Sequence, residues 1–439
     1  MRVTLAMTLS SLMLLSGLAN GDTPRSLSVA EGNPQQHEDF AVGGAFFQQP
    51  WVIAPASTTA RDGLGPLFKA NSCLACHIGH GRGHPPFTDA EPFMSTIVKL
   101  GVPVRDSQQH EQAKVLGVAP DPVYGDHLQT LGVKGLPGEA TPRFRYSEIH
   151  GEFKDGTSYT LLKPHLEITQ PNYGAFATDI QFSARVAPPL LGMGLLESIP
   201  ETDILANADP DDRNGDGISG KPNTVWDIAK QQAVLGRFSW KANQPSIRQQ
   251  SADAFRNDIG ITSSLFPEQP CSAVQTDCLQ LPTGGKPEIP DDLLATVVFH
   301  VANQPVPVRR TTNDAQVIQG QQLFGQAGCA TCHIPSFTAL ANQPHQPYSD
   351  LLLHDMGEGL ADNRPEFAAS GREWRTAPLW GIGLTEKING HTRFLHDGRA
   401  RNLLEAILWH GGEAEPAKQA VVAMPKTERE ALLHFLNSL

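Results

Sequence analysis

Two short cysteine–histidine motifs carry most of the chemistry that this sequence could support. They read Cys73-Leu74-Ala75-Cys76-His77 and Cys329-Ala330-Thr331-Cys332-His333. The spacing C-x-x-C-H is the attachment signature of c-type haem. The two thiols add across the porphyrin vinyl groups, and the adjoining histidine reaches the iron as its proximal ligand. The sequence therefore predicts two covalently attached haems, with His77 and His333 as iron ligands.

Two other uses of the four cysteines have to be weighed. A zinc site could be shared by both motifs, although they are far apart in the chain. A redox dithiol of the thioredoxin type lacks its βαβ context here. The remaining pair, Cys271 and Cys278, lies in a proline-rich loop without C-x-x-C spacing or neighbouring cations. This pair is therefore predicted to form a structural disulfide rather than a reactive dithiol.

The surroundings of the two motifs repeat, which indicates that each half of the chain is one haem-bearing unit. Phe68 and Phe324 each precede the first cysteine of a motif by five residues, and Arg185-Val186-Ala187-Pro188 is echoed by Arg375-Thr376-Ala377-Pro378. Such repetition is the mark of a duplicated module. We expect a mainly α fold with two cytochrome c-like domains, residues 22–304 and 305–439.

The repeat also sets the expected elements. Apolar helices are predicted over Asp291–Asn303, over Asp314–Phe324 with Asn313 as N-cap, and over Thr427–Leu439 with a capping box of Thr427 and Glu430. Insertions enlarge the first half. They include a small β-hairpin with strands at Arg143–Phe153 and Thr157–Thr169, joined at Asp155-Gly156.

Composition and the amino-terminal segment limit the compartment and the partners. The 439 residues carry a net charge of −12 without a basic block, which argues against nucleic acid and anionic membranes. Residues 1–21 read as a signal peptide, with Arg2, an apolar run and the small-residue site Ala19-Asn20-Gly21. We expect an exported, periplasmic protein without a transmembrane anchor after processing, the alternative being an uncleaved anchor helix.

A short acidic loop suggests a further metal. Asp212, Asn214 and Asp216 alternate ahead of Gly217, as in the front half of a calcium loop. Asn223 stands at the twelfth position, where a bidentate glutamate is usual. Bound calcium and a plain turn rich in aspartate and asparagine are both open interpretations.

Several of these segments together carry a family resemblance. They are the two haem motifs, Arg185–Pro200, the loop at 212–217, Gly236–Ala242, Leu351–Gly357 and Phe394–Ala400. From about residue 60 to the C-terminus the chain resembles the bacterial di-haem oxidoreductases of the peroxidase-like type, also called thiol oxidoreductase-like proteins. These are distant relatives of the di-haem cytochrome c peroxidases and of the di-haem enzyme that matures methylamine dehydrogenase.

The resemblance implies a division of labour between the haems. In the peroxidases, one six-coordinate haem accepts electrons from a small donor, and the other opens a coordination site and cleaves hydrogen peroxide. A methionine at a fixed distance after the H-D-G motif completes the first haem. Twelve residues after Gly398 this chain has His410, so we expect a bis-histidine haem of lower potential, with Met356 as the alternative ligand.

At the N-terminal haem, the resemblance places a distal acid–base residue in the region of Glu197, with Glu201 four residues further on. His80 and His84 could instead cap the iron in a resting state or be ordinary loop histidines. Since the peroxidases place a tryptophan between their haems, Trp240 is the candidate bridge and Trp226 the alternative.

Burial of the haem propionates would require positive partners. Arg185 and Arg375 are candidates for this pairing, and His396 with Asp397 is expected to brace the second haem.

Three functions remain open from the sequence. The first is a peroxidase-like enzyme that takes electrons from a small periplasmic redox protein, a cytochrome c or a cupredoxin. The second is an electron-transfer protein in which both haems are six-coordinate. The third is an enzyme that oxidises a protein or metal substrate. The long insertions of the first half favour catalysis.

Overall fold

A computed structural model describes residues 32–88, 91–341 and 344–439, so the predicted signal peptide lies outside the described residues. The α-helices are α1 (Pro34–Gln48), α2 (Cys73–Cys76), α3 (Ser107–Leu116), α4 (Met193–Ser198), α5 (Glu201–Leu205), α6 (Ile247–Ala254), α7 (Thr276–Leu279), α8 (Asp291–Ala302), α9 (Ala315–Gln326), α10 (Thr385–Asn389), α11 (Leu403–Leu408), α12 (Glu415–Ala423) and α13 (Lys426–Ser438). Short 3₁₀ helices cover Ile78–His80, Cys329–Thr331, Thr338–Leu340, Ile382–Leu384 and Gly412–Ala414, and a π-helix covers Phe255–Ile259.

The strands form five separate antiparallel pairs. The strands are β1 (Leu67–Phe68), β2 (Thr96–Gly101), β3 (Leu131–Gly132), β4 (Thr141–Glu152), β5 (Ser158–Thr169), β6 (Gln181–Val186), β7 (Thr224–Asp227), β8 (Gln232–Leu235), β9 (Leu353–Asp355) and β10 (Glu373–Arg375). The pairs are β1 with β3, β2 with β6, β4 with β5, β7 with β8, and β9 with β10. Each pair depends on packing against the rest of the chain, because an isolated two-stranded ribbon is marginally stable.

The prediction of a mainly α, cytochrome c-like fold is wrong. Only 32% of the structure is helical and 17% is strand, in many short helices and small sheets. The chain has 40 glycines and 35 prolines, about one residue in six, and these residues end helices early. None of the described helices combines the length and apolar character needed to cross a bilayer.

The structure contains the predicted hairpin and corrects two predicted helix caps. The hairpin is present as β4 and β5, with Thr141 opposite Thr169 and Glu152 opposite Ser158. Asp314, rather than Asn313, caps α9 by accepting from the Gln316 amide. The capping box of the last helix does not form, because α13 begins one residue earlier, after Pro425.

Two apolar cores organise the chain, and each includes residues from the other half. The first core, built mostly on residues 46–306, takes in Leu352 and Trp380 from the second half. The second core, built mostly on residues 317–439, takes in Phe153 and Trp240 from the first half. A boundary near residue 305 therefore separates repeats in the sequence, while packing crosses it in both directions.

The turn of the long hairpin is one such crossing. Phe153 is buried in the second core, and the guanidinium of Arg429 on α13 lies 3.9 Å from its ring centroid. Arg429 also donates to Asp155 at 2.8 Å, and the Lys154 amide donates to the Val422 carbonyl at 3.1 Å. The hairpin thus fixes an insertion of the first half onto the last two helices.

A buried ion network forms the second crossing. In the β2–β6 pair, Lys99 stands opposite Ser183, which places Lys99 and Arg185 on one face. Lys99 Nζ lies 2.8 Å from Glu366 Oε1, and Arg185 lies 2.6 Å from Glu366 and 3.2 Å from Asp362.

Two more cations join the same pair of carboxylates. Lys241 Nζ lies 2.9 Å from Asp362, and Arg364 Nη1 lies 3.2 Å from Glu366. All six side chains are 6% exposed or less. Although burial opposes ionisation, Arg185, Lys99 and Arg364 hold the pKa of Glu366 well below its ordinary value. Burial likewise opposes the ionisation of Asp362, but Lys241 and Arg185 lower its pKa, so both carboxylates are charged in the folded protein.

We predict that Glu366→Gln destabilises the protein by about 3–5 kcal/mol, because it leaves three buried cations without their shared carboxylate. Urea unfolding at neutral pH measures the change. Glu358→Gln is the matched control, since Glu358 is an exposed partner of Arg372 and should change stability by less than about 0.5 kcal/mol.

The pH dependence of stability gives a second test with the same variant. The pKa of Glu366 is lower in the folded protein than its unfolded value of about 4.5, so its ionisation stabilises the fold above about pH 4.5. This stabilisation is lost as the pH falls through the pKa of the folded protein. The stability difference between wild type and Glu366→Gln should therefore shrink below about pH 4.5. Equal stability of the two proteins at neutral pH would contradict the proposed role of the network.

Candidate functional site

One cavity brings the second cysteine–histidine motif together with most of the residues that the sequence singled out in the second half. Its volume is about 490 Å³, within the range of roughly 300–1,000 Å³ that is usual for ligand and cofactor cavities. Cys329, Cys332 and His333 line it, as do both candidates for the second axial ligand, His410 and Met356.

The two histidines of this cavity are oriented in the same way. His333 Nδ1 lies 2.8 Å from the Tyr348 carbonyl, and His410 Nδ1 lies 2.7 Å from the Ala406 carbonyl. Because a carbonyl only accepts, each Nδ1 carries the proton and each Nε2 keeps a lone pair. A hydrogen bond from the far ring nitrogen is the usual support of a metal-bound imidazole.

The electrostatics of the two rings agree with this reading. Burial lowers the pKa of His333 to about 4 and also lowers the pKa of His410. Both imidazoles are therefore neutral at physiological pH, which is the form that binds a metal. Among the described residues, no corresponding hydrogen bond orients the side chain of Met356, which lines the same cavity.

A third histidine in the cavity is held as a cation. His354 Nε2 lies 2.8 Å from Asp350, and its Nδ1 lies 2.7 Å from Glu413 and 3.6 Å from Cys332 Sγ. Burial opposes protonation, but the bonds to Asp350, Cys332 and Glu413 raise the pKa of His354 to about 12. With both nitrogens engaged, His354 braces Cys332 and does not have a lone pair for iron.

Two arginines face the cavity, Arg82 buried and Arg375 partly buried. Arg375 donates to the Ser239 and Thr376 carbonyls, and Arg82 donates to the Leu395 carbonyl. Neither guanidinium forms a salt bridge within the described ranges, and burial lowers the pKa of both to about 10. Unpaired buried cations need an anion, and the propionates of a haem would supply it. The residues of this cavity therefore fit a haem.

Arg185, the other predicted propionate partner, is engaged elsewhere. Its Nε donates to Ser183 Oγ, and its two terminal nitrogens lie against Glu366 and Asp362 in the buried ion network. Each of its three nitrogens therefore already bonds to a protein group. Arg82 lines the second cavity, and Arg185 does not.

Trp240 lies where the two halves meet. It lines the cavity, donates from Nε1 to the Val186 carbonyl at 2.8 Å, and has the Arg82 guanidinium 5.4 Å from its ring centroid. Ser239 and Ala242 beside it have φ angles of 69° and 50°, a backbone conformation that residues other than glycine seldom adopt. Trp226, the alternative, is on β7 against Lys114.

The H-D-G segment forms the opposite wall. His396 stacks on Trp374 with ring centroids 3.7 Å apart and an interplanar angle of 12°. Burial lowers the pKa of His396 to about 3, so its ring is neutral. Asp397 pairs with Arg399 at 2.7 Å, which secures the turn.

The first cysteine–histidine motif lies in the other core, on α2. Cys76 is buried, and burial together with Asp258 raises the pKa of the Cys73 and Cys76 thiols to about 12. Such surroundings suit neutral thioethers better than thiolates. Burial lowers the pKa of His77 to about 4, although hydrogen bonds to the Pro188 and Gly81 backbone act in the opposite direction. This motif also presents a neutral imidazole.

His80 is bound to a histidine that the sequence did not mark. Its Nε2 lies 2.9 Å from Nε2 of His300, and His300 Nδ1 lies 3.0 Å from the Phe40 carbonyl. His300 therefore donates to Phe40 and accepts from His80. His84 hydrogen bonds through Nδ1 to the Pro85 carbonyl and stacks on Phe87. From the sequence, the position of His300 in the predicted helix Asp291–Asn303 could not distinguish it from an ordinary core histidine.

Glu197 and Glu201 are both exposed. Ile199-Pro200 separates α4 from α5, so the two residues do not share one helix face. Glu197 Oε1 accepts from the Ile247 amide at 2.8 Å and so caps the start of α6. These positions give no support to a distal acid–base role for either residue.

Two other predicted features have local structures of their own. In the acidic loop, Asp212 accepts from the Gly217 amide, and Asp216 accepts from the Ile218 amide and from Asn214 Nδ2. Calcium binding stays a prediction from the sequence. Cys271 and Cys278 form a disulfide.

Comparison with known proteins gives one match. A protein-family model with the description "Di-haem oxidoreductase, putative peroxidase" matches residues 27–439. Neither the curated proteins nor the solved structures contain a match.

We predict that Arg375→Gln lowers the reduction potential of the second haem, because a nearby buried cation stabilises the added electron. A unit charge about 10 Å away at an effective dielectric constant of about 20 contributes roughly 1–2 kcal/mol. For one electron this is roughly 40–90 mV. Spectroelectrochemical titration of the holoprotein measures the shift. Arg372→Gln, at an exposed arginine, is the control, and an unchanged midpoint in Arg375→Gln would contradict the pairing.

Proposed function

The chain belongs to the di-haem oxidoreductase family, and on that premise we propose that it is an exported enzyme that reduces hydrogen peroxide. The electrons would come from a small redox protein, a cytochrome c or a cupredoxin. They would enter at the C-terminal haem and pass to the N-terminal haem, where peroxide binds. Both haems would be attached covalently through the cysteines of the two C-x-x-C-H motifs.

The pair of imidazoles in the second cavity is the observation that carries this division of labour. His333 and His410 both keep Nδ1 on a backbone carbonyl and leave Nε2 for the iron. An iron with two protein ligands has no position for a substrate and suits electron transfer. Peroxide chemistry is therefore assigned to the haem held by His77.

The bound haems would supply one-electron storage and a coordination position for peroxide. Around the second cavity, Arg82 and Arg375 would hold the propionates, and the Tyr348 and Ala406 carbonyls would fix the two imidazole planes. His354 keeps its charge between Asp350 and Glu413 and so holds Cys332 in place. These contacts keep the ligand geometry constant in both oxidation states.

The loop after the first motif supports transfer between the two sites. Asn389 on α10 donates to the Ile78 carbonyl at 2.7 Å and accepts from the Arg82 amide at 3.2 Å. Arg82 then reaches the second cavity and lies against Trp240. The chain thus connects His77 to the second cavity through five residues and one aromatic ring, which makes Trp240 the proposed bridge.

The compartment is inferred from three independent features. They are the amino-terminal apolar segment, the disulfide between Cys271 and Cys278, and the two motifs for covalent haem attachment. Disulfides persist in oxidising compartments such as the bacterial periplasm. Together these features support a periplasmic location.

An EPR spectrum of the oxidised holoprotein, combined with a peroxide turnover assay, tests the proposal. One high-spin and one low-spin ferric signal, with peroxide consumption that depends on a reduced donor, is the expected result. Two low-spin signals in the oxidised protein, a remaining ferric haem that is still low-spin after one-electron reduction, and no turnover would instead identify an electron-transfer protein. Turnover of an added protein or metal substrate in place of the donor would identify the third alternative.

We predict that His410→Met raises the potential of the C-terminal haem and leaves covalent haem content intact, because a thioether ligand favours the reduced iron relative to a second imidazole. Redox titration and haem staining of the denatured protein measure the two quantities.

His434→Met is the matched control, since His434 is exposed on α13. It should change neither quantity. An unchanged potential in His410→Met would remove His410 as the ligand and direct attention to Met356.

A further inference from the structure

Two tryptophans line the cavity of the second cysteine–histidine motif, and the fold surrounds them with different charges. Trp240 and Trp374 both belong to the wall of this cavity. Indole is among the side chains that lose an electron most readily, so either ring could carry electrons to or from a haem held there. The charges that lie over each ring decide which of the two is easier to oxidise.

Both faces of Trp374 are covered by other side chains. The imidazole of His396 stacks on one face, with ring centroids 3.7 Å apart and an interplanar angle of 12°. Because this stack fills one face, the nearby cations lie over the other. Lys241 Nζ is 4.5 Å from the ring centroid, and the guanidinium carbon of Arg185 is 5.3 Å from it. Trp374 is 6% exposed, so water screens these contacts little.

The ammonium group of Lys241 is fixed in this position. It donates to Asp362 at 2.9 Å, to the Arg364 carbonyl at 2.9 Å and to the Ser370 carbonyl at 2.7 Å. All three of its protons are therefore engaged. Burial lowers the pKa of Lys241 to about 8, which still leaves the side chain positively charged at neutral pH.

The buried ion network next to Trp374 has more cations than carboxylates. Four cations share Asp362 and Glu366, which leaves an excess of positive charge. A cation over the face of an indole is attracted by the π electrons, and it repels the ring once the ring has lost an electron. The network therefore opposes the oxidation of Trp374.

Less positive charge acts on Trp240. Among the described residues, its cation contact is with Arg82, whose guanidinium carbon is 5.4 Å from the ring centroid. In the proposed function Arg82 pairs with a haem propionate, so an anion balances its charge. The indole nitrogens do not distinguish the two rings, because each donates to a carbonyl, Trp240 to Val186 and Trp374 to Leu360.

We propose that Lys241 and Arg185 keep Trp374 from being oxidised and so direct electrons through Trp240, an inference that rests on the proposed peroxide reduction. Converting hydrogen peroxide into two waters takes two electrons and two protons. Without the donor protein, side chains near the haems supply these electrons. An indole that gives up two electrons takes one oxygen atom from water, releases two protons and becomes hydroxytryptophan. This product records which ring has been oxidised.

Mass spectrometry of the holoprotein after peroxide treatment without donor tests the proposal. In the wild type, the peptide that contains Trp240 should gain oxygen and the peptide that contains Trp374 should not. Lys241→Gln removes one of the two cations and keeps a hydrogen-bonding side chain. It should raise the oxidation of Trp374 about tenfold or more, because the charge lies so close to the ring. Equal oxidation of Trp374 in wild type and Lys241→Gln would overturn the inference.

Ser183→Ala is the control for a loosened network. It removes the hydroxyl that bonds to Asp362 and Arg185 without changing any charge. Trp374 should stay as resistant as in the wild type. If Ser183→Ala and Lys241→Gln oxidised Trp374 equally, structural damage rather than lost charge would explain the effect, and the inference would be wrong.

Lys114→Gln is the control for the position of the ring. It removes the cation 4.7 Å from Trp226, a ring that does not line the cavity. Trp226 should stay unmodified, because the neighbouring haem cavity as well as the lost cation is needed for oxidation. Oxidation of Trp226 in this variant would contradict the selection of a path at the cavity.

Haem staining shows whether Lys241→Gln carries both haems. If it does not, the wild type decides, since equal oxidation of Trp240 and Trp374 would exclude a preference for one ring. A wild-type haem spectrum that does not respond to peroxide would overturn the proposed function instead. Azide radicals, which take one electron from an indole, would then test the same variants without peroxide, with the same outcomes for and against the inference.

Discussion

A network of six buried charged side chains holds the centre of this molecule together. Four cations surround the carboxylates of Asp362 and Glu366. The cations come from the first half of the chain, except for Arg364, and both carboxylates come from the second. Buried charges are tolerated only when their partners are in place. The β2–β6 pair, the segment at Trp240-Lys241 and the loop at 362–366 must therefore assemble together, and the wall of the second cavity assembles with them.

The same centre has more positive than negative charge. Arg82, which is buried, and Arg375, which is partly buried, add two further cations at the cavity, and neither forms a salt bridge in the regions that the structure describes. A cofactor with anionic side groups would balance this charge, while a neutral ligand of equal size would not. Electrostatics and covalent attachment thus select the same class of ligand through different residues.

The sequence allowed the cysteine–histidine motifs, the long hairpin and the family to be identified, because each is a local pattern. It failed where function depends on contacts between distant segments. Glu197 was a sensible candidate by spacing, yet it is exposed on α4 and accepts from the Ile247 amide at the start of α6. Arg82 and His300 carry no local signature, and only the fold brings them to their partners. The mainly α fold was wrong because glycine and proline keep most helices short.

The closure of the first motif by late parts of the chain has a consequence for biogenesis. The loop after His77 is bound by Asn389 and His391, more than three hundred residues further on. During synthesis from the amino end, the loop that follows Cys73 and Cys76 is therefore not closed until almost the whole protein has been made. A haem-attachment machinery that needs an open segment would have its opportunity in that interval, before the C-terminal helices dock and close the loop.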